Sequence, residues 1–107
     1  MVHTIKAPKS STDEELRTLH FDCEIKPGPQ TETRASPPKH TIAVIVDISP
    51  AGGALKIHVA SDNNWGNVYV GMVGMDEGVE SLFIVPWEEE WYYRSIGSVT
   101  LKYAVKK

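Results

Sequence analysis

The segment 41–48, Thr-Ile-Ala-Val-Ile-Val-Asp-Ile, constrains the fold more than any other part of this sequence. Five of its eight residues are valine or isoleucine, and only Asp47 is charged. β-Branched side chains favour extended backbone, and an apolar run without alternation is typical of a strand covered on both faces. We therefore expect residues 41–48 to form the central strand of a sheet.

Shorter segments predict further strands around this one. Apolar residues alternate with polar ones over 19–26, 55–60 and 99–105, as in half-buried strands. Segments 68–75 and 81–85 are apolar runs, and Gly71 and Gly74 predict a bulge or bend in the first of them. Because Ser-Pro-Ala-Gly-Gly at 49–53 is typical turn sequence, we expect 41–48 and 55–60 to form a hairpin.

Two segments carry helical signals. Thr12 and Glu15 have the spacing of a capping box, which predicts a short helical turn over residues 12–17. Pro86 and Arg94 stand where the ends of a helix over 86–95 would be, whereas the aromatic residues between them favour a strand. Both interpretations of 86–95 remain open at this point.

The fold expected from these elements is mainly β, a single small antiparallel sandwich or barrel of about six strands. A chain of 107 residues holds one such core. We divide it into an N-terminal arm, 1–16, and a β domain, 17–107, that includes a proline-rich loop at 27–39. A loop of that length is expected to be either functional or a flexible arm.

Charge and hydropathy argue against two classes of partner. With 11 basic and 14 acidic residues the net charge is −3, which gives no electrostatic attraction to nucleic acid. The longest apolar stretches fall well short of the roughly 20 residues that span a bilayer, so no membrane span is expected. The start of the chain lacks a signal-peptide pattern and Cys23 is the only cysteine, so we expect a cytoplasmic protein without an intrachain disulfide.

No segment predicts a catalytic or metal site. The sequence holds no phosphate-binding glycine loop, and no cofactor is expected. His20 and Cys23 would point to opposite faces of a strand, which argues against a shared metal ion and favours a buried Cys23. The segment 62–67 lacks the ligand ladder of a calcium loop. We therefore expect a protein that is not an enzyme.

Two aromatic features predict binding surfaces. Four large aromatics crowd into seven positions, more than one side of a small sheet needs, and we expect them to form an exposed partner-binding segment: Trp87, Trp91, Tyr92 and Tyr93. A second candidate is a polar loop around Trp65, where an indole flanked by amides would stack on a sugar ring or contact a partner. Its candidate ligand-binding residues are Asp62, Asn63, Asn64, Trp65 and Asn67. The alternative is a Trp65 that folds back onto the core.

The leading hypothesis is a non-catalytic binding or assembly module. Its aromatic segment and N-terminal arm would contact a protein partner or identical subunits as a homo-oligomer. The alternative is a lectin-like sandwich that binds a glycan at Trp65. A third hypothesis is an enzyme whose residues, for example His58 with Asp47 or Asp62, are brought together from distant loops by folding.

Overall fold

The computed structural model describes residues 4–19, 23–28, 34–61, 64–74 and 80–106. These residues form seven strands and one short helix, so the prediction of a mainly β, antiparallel, sandwich-like domain is confirmed. In chain order the elements are β1 (Ile5–Pro8), α1 (Asp13–Leu19), β2 (Cys23–Pro27), β3 (Arg34–Ala35), β4 (Thr41–Ser61), β5 (Asn64–Gly74), β6 (Ser81–Pro86) and β7 (Trp91–Lys106).

Two long strands organise the fold. β4 and β7 pair antiparallel with each other along most of their length, first over 41–48 and again over 53–59 of β4. The first stretch belongs to a layer with the order β1-β6-β4-β7-β2, and along the second stretch β5 joins β4 while β3 joins β7. Because β4 and β7 run through both layers, one continuous hydrogen-bonded sheet folds over to give the sandwich.

The ribbon changes register at the junction between the layers, and glycines occupy this position. The register shift falls between Ile48 and Gly53, and Gly52 and Gly97 have positive φ values of 114° and 71°. Such backbone is available to glycine at little cost, because glycine has no Cβ to clash with the neighbouring carbonyl. The glycines thus permit the bend that brings the two layers together.

The core consists of two clusters on opposite faces of the first layer. Between the layers, Val44 and Val46 pack with Leu55 and other residues from the second half of β4 and from β7. On the other face, Ile45 packs with Leu16 of α1. Residues 43–46 are all buried, so the prediction of a central strand covered on both faces is confirmed.

The capping box at the start of α1 is also confirmed. The backbone N–H of Thr12 donates to Glu15 Oε1 at 3.0 Å, and the backbone N–H of Glu15 donates to Thr12 Oγ1 at 3.2 Å. The donations from Thr12 hold the pKa of the Glu15 carboxyl below its usual value. The helix runs on to Leu19, so the predicted strand over 19–26 is wrong at its start, and β2 begins at Cys23.

The predicted hairpin of 41–48 with 55–60 is wrong. Both segments belong to the single strand β4, which passes through Ser-Pro-Ala-Gly-Gly without reversing. Its two halves pair with β7 rather than with each other, because β7 offers a partner along both stretches. The hairpin that does form joins β4 to β5, with Leu55 opposite Val73 and a register shift beside Gly71. The irregularity predicted near Gly71 is therefore present.

The helical interpretation of 86–95 is wrong as well. Residues 87–90 form a turn in which the Trp91 N–H donates to the Glu88 carbonyl at 3.1 Å, and β7 begins at Trp91. Trp91 and Tyr93 lie opposite Val59 and Ile57 of β4. Cross-strand pairs of aromatic and β-branched side chains stabilise a sheet, and here they outweigh the local helix-end signals.

The segments expected to be an arm and a loop contact the sheet. Within 1–16, β1 pairs with β6, and Leu16 is fully buried. Within 27–39, the Gly28 N–H donates to the Leu101 carbonyl at 2.8 Å and β3 pairs with β7. Both segments therefore help to cover the domain.

Candidate binding cleft at Trp87

Most of the aromatic segment is buried, so the expectation of an exposed surface is wrong. Tyr93 and Tyr92 are 0% and 1% exposed, Trp87 is 9% exposed, and Trp91 is half-buried. The aromatic side chains are too many for one face of a small sheet, but those of β7 lie on both of its faces. Tyr93 enters the core between the layers, whereas Tyr92 stacks on His58 with ring centroids 5.2 Å apart. Whether these residues bind a partner remains a prediction.

Trp87 is the centre of the aromatic packing. Its ring meets Trp91 edge-on at a centroid distance of 5.4 Å and Tyr93 edge-on at 6.2 Å. Such perpendicular pairs are favoured by the quadrupoles of the rings. The indole of Trp87 is thus held rigidly where the core reaches the surface.

Trp87 borders a cleft of about 610 Å³, which we call the Trp87 cleft. Its walls come from the segment before and at the start of β4, the turn after β6 and the end of β7. The lining residues are Pro37, Pro38, Lys39, His40, Thr41, Ile42, Trp87, Glu89 and Lys106. The volume lies within the range of small-ligand sites in proteins.

Backbone hydrogen bonds hold these walls in place. The Trp87 N–H donates to the Ile42 carbonyl at 2.9 Å, and the Lys106 N–H donates to the His40 carbonyl at 2.9 Å. The Thr41 hydroxyl and the Thr41 N–H both donate to the Pro38 carbonyl, at 2.7 and 3.2 Å. These bonds therefore tie the turn at 38–41 and the turn after β6 to the ends of β4 and β7.

His40 stands in an unusual backbone conformation at the rim of the cleft. Its φ is +69°, in the left-handed region, at the third position of the turn from Pro38 to Thr41. Turns with positive φ at that position usually carry glycine or asparagine. Strained residues of this kind cluster at binding and catalytic sites, which makes the turn a functional candidate.

The rim of the cleft has a positive formal charge, whereas the whole chain has a negative one. Two exposed lysines, Lys39 and Lys106, and one exposed carboxylate, Glu89, line the cleft, so the formal charge of the lining is 2 − 1 = +1 when histidine is counted as neutral. The whole chain carries −3. The cleft therefore concentrates positive charge on an acidic protein.

One buried polar atom of a lining residue lacks a partner. The Trp87 Nε1–H is buried and has no hydrogen-bond acceptor among the described residues. A buried donor left unpaired costs about 1–3 kcal/mol, which is why nearly all such groups in proteins are paired. This donor belongs to a residue that lines the cleft.

Sequence reasoning identified only Trp87 among the lining residues. The proline-rich loop was expected to be functional or a flexible arm, and its end, Pro37 and Pro38, lines the cleft. Lys106 and Glu89 carried no signal, because only the folded sheet brings residues 40, 87 and 106 together.

The predicted ligand loop around Trp65 has a different structure. Asn64, Trp65 and Asn67 lie in β5, so this part is a strand and not a loop. Asp62 and Asn63 lie outside the described residues, as do the side chains of the other three. Glycan binding at this segment stays a prediction.

Two further findings concern chemistry. Cys23 is fully buried in the cluster under α1, which confirms the predicted core position and removes it from contact with substrates. In the described part of the chain, no three His, Cys, Asp or Glu side chains group closely enough to hold a metal ion.

No helix among the described residues has the length and apolar character to cross a membrane.

Comparison of the chain with protein-family models, with curated proteins and with solved structures gave no match.

Proposed function

We propose that this protein is a non-catalytic binding module that takes an extended segment of a protein partner into the Trp87 cleft. The observation that carries the proposal is the buried, unpaired indole N–H of Trp87, a residue that lines a cleft with a positive rim. An extended peptide presents a carbonyl acceptor at every residue, so it is suited to pair this donor.

The chemistry of the walls fits such a ligand. Ile42, Pro37 and the Trp87 ring give apolar surface, and Lys39 and Lys106 supply cations at the rim. Tryptophan set in a pocket and ringed by polar groups is the usual arrangement of a binding hot spot. A partner segment with an acidic residue is therefore favoured over a basic one.

Binding is favoured over catalysis by the exposure of the charged groups. Lys39, His40, Glu89 and Lys106 are all exposed. Groups that act as general acids or bases are usually partly desolvated, because burial and neighbouring charges tune their pKa values to the reaction. The N-terminal segment is paired within the sheet, so the proposal rests on the cleft and not on an arm.

The proposal predicts a spectroscopic signal. Because Trp87 Nε1 is buried in the free protein, an acceptor reaches it only if the indole or the atoms that cover it shift. Binding should therefore change tryptophan fluorescence. Trp87→Phe should lose that change while keeping an aromatic ring in the wall.

The test is a selection from a random peptide library displayed on phage, with the full chain as bait. Selected peptides are titrated against the wild type, Trp87→Phe, the exposed double variant Lys39→Glu/Lys106→Glu, and Lys26→Glu as a charge-reversal control outside the cleft. We expect peptides that carry an acidic residue, with affinity lowered about tenfold or more in the two cleft variants and unchanged in the control.

Two results would contradict the proposal. One is a selection that yields no peptide above background. The other is a set of peptides whose affinity is the same for the wild type and the double-lysine variant. Thermal unfolding of each variant separates loss of binding from loss of fold, and Lys39 and Lys106 are exposed, so their replacement should leave the fold intact.

A further inference from the structure

Two cationic side chains stand opposite each other on the outer face of the second layer, the layer that contains β5. Leu55 and Ile57 of β4 are buried between the layers, so Lys56, which lies between them, is on the outer face. In β7, Arg94 follows the buried Tyr93 and is on the same outer face. The register places Lys56 directly opposite Arg94. We call these two residues the cation pair.

The cation pair is accessible and has no carboxylate partner among the described residues. Arg94 is exposed and Lys56 is half-buried. The ion pairs formed within the described part of the chain involve Lys9, Lys26 and Lys102, and neither member of the cation pair takes part in one. Like charges directly opposite each other on neighbouring strands destabilise a sheet. A bound anion would relieve that repulsion.

The surroundings of the cation pair add positive charge and no negative charge. Arg34 of β3 stands opposite Arg94 in the register, on the side away from Lys56. The residues two positions away from the cation pair along β4 and β7 include no acidic one and are Ala54, His58, Tyr92 and Ile96. Positive charge is thus collected on one face of a chain whose net charge is −3.

We propose that the cation pair binds the phosphate group of a phosphorylated segment of a partner protein. A phosphate monoester carries about 1.5 to 2 negative charges at pH 7 and three strong acceptor oxygens, so one group can balance both cations. The Cβ atoms of directly opposite residues lie about 4.5–5.5 Å apart, which lets both side chains reach the same phosphate. The Arg94 guanidinium can donate two parallel hydrogen bonds to it, and the Lys56 ammonium adds a point charge.

Phosphate fits this pair better than other common anions. The carboxylate of an acidic residue carries a single charge and would leave one of the two cations unbalanced. Nucleic acid is bound through many phosphate contacts at once, which a chain of net charge −3 does not favour.

A partner segment is favoured over free phosphate because apolar surface adjoins the cation pair. Met72 of β5 stands opposite Lys56 on the side away from Arg94, and it is 46% exposed. Residues that flank a phosphorylated side chain can pack on Met72, whereas a free phosphate ion gains nothing from it. The expected ligand therefore has an apolar residue near its phosphorylated one.

This site is separate from the Trp87 cleft. Neither member of the cation pair lines the cleft. The double variant Lys39→Glu/Lys106→Glu should therefore keep its phosphate recognition even where it loses peptide binding in the cleft. Failure of either proposal leaves the other standing.

The test uses the full chain and three peptide libraries that differ only at one fixed residue, which is phosphoserine, serine or glutamate between random flanks. Binding is measured by fluorescence polarisation for the wild type, Lys56→Gln, Arg94→Gln and Arg94→Lys. Lys26→Gln is the matched control, because Lys26 is an exposed lysine on another strand, β2. Inorganic phosphate is titrated as a competitor, and thermal unfolding checks the fold of each variant.

We expect the wild type to bind the phosphoserine library about tenfold more tightly than the serine library, and both glutamine variants to lose most of that difference. Arg94→Lys should keep part of it, because the charge remains while the paired hydrogen bonds are lost. Lys26→Gln should match the wild type. Lys56→Gln should unfold at a temperature close to that of the wild type, because it removes a repulsion.

Equal affinity of the wild type for the phosphoserine and serine libraries would overturn the inference, as would a phosphoserine preference that both glutamine variants retain. Equal affinity for the phosphoserine and glutamate libraries would overturn the assignment to phosphate. Inorganic phosphate that binds as tightly as the phosphoserine peptides would overturn the assignment to a partner segment.

Discussion

The hydroxyl groups of Tyr93 and Tyr103 offer a stringent test of the core between the layers. They form a hydrogen bond to each other inside that core, and their rings lie 6.4 Å apart at a tilt of 47°. Tyr93 is 0% exposed and Tyr103 is 5% exposed, so water cannot readily replace either partner. Removing one hydroxyl leaves the other without a hydrogen-bond partner in an apolar environment.

The magnitude follows from that geometry. Tyr93→Phe or Tyr103→Phe alone should lower the free energy of unfolding by about 1–3 kcal/mol, because each leaves a buried hydroxyl unpaired. The double substitution removes both polar groups and should cost about 1 kcal/mol or less. The sum of the two single effects should then exceed the double effect by at least about 1 kcal/mol, measured by urea unfolding of all four proteins.

A pH series on the same four proteins gives a second measure of this pair. Burial raises the pKa of both tyrosines, and for Tyr93 the hydrogen bond with Tyr103 raises it further. Below the unfolded pKa of about 10 both states keep the protons, and above it the unfolded state loses them first. The free energy of unfolding should therefore fall as the pH rises above about 10, by about 1.4 kcal/mol per pH unit for each tyrosine that stays protonated in the fold.

The double variant should lose this part of the alkaline dependence. Additive effects of the single substitutions, with a coupling below about 0.5 kcal/mol, would refute the reasoning about the hydroxyl pair. So would an alkaline transition that is identical in the wild type and the double variant.

Three other substitutions and one control test local features of the chain, each by thermal or urea unfolding. Thr12→Ala removes the cap of α1 and should cost about 0.5–2 kcal/mol, and an unchanged stability would show that the capping box contributes nothing. Gly97→Ala puts a Cβ at φ +71° and 3.2 Å from the backbone of β4, so it should cost roughly 1–2 kcal/mol, whereas Gly74→Ala, with open space around it, is the matched control within about 0.5 kcal/mol. Gly28→Ala brings a Cβ to 2.9 Å from Leu101 Cβ and should cost about 1–3 kcal/mol, and equal stability of this variant and the wild type would contradict the tight approach.

Local sequence predicted the features that depend on neighbouring residues. The capping box needs only Thr12 and Glu15, and the two-sided burial of residues 43–46 follows from an apolar run without alternation. Both were therefore accessible from the sequence. The strand at 81–85 was predicted for the same reason and corresponds to β6.

Features that depend on distant partners were not predictable in this way. The segment 49–53 has turn composition, yet it continues β4 because β7 pairs on both sides of it. The helix-end signals at Pro86 and Arg94 were overridden by pairing of Trp91–Tyr93 with β4. The Trp87 cleft joins residues from positions 37 to 106, and no local pattern marks such a meeting.

The burial of the aromatic segment changes which experiments are informative. Trp87 packs on Trp91 and Tyr93 and at the same time borders the cleft, so its replacement perturbs the core and the binding surface together. Large buried aromatics replaced by alanine commonly cost several kcal/mol, about 3–5 in measured series, which would mask any effect on binding. Lys39 and Lys106 are exposed and contribute to the cleft without supporting the core. The loss of peptide binding on reversing these two charges, with an unchanged unfolding temperature, is therefore the observation that would distinguish a binding cleft from a mere irregularity at the edge of an aromatic core.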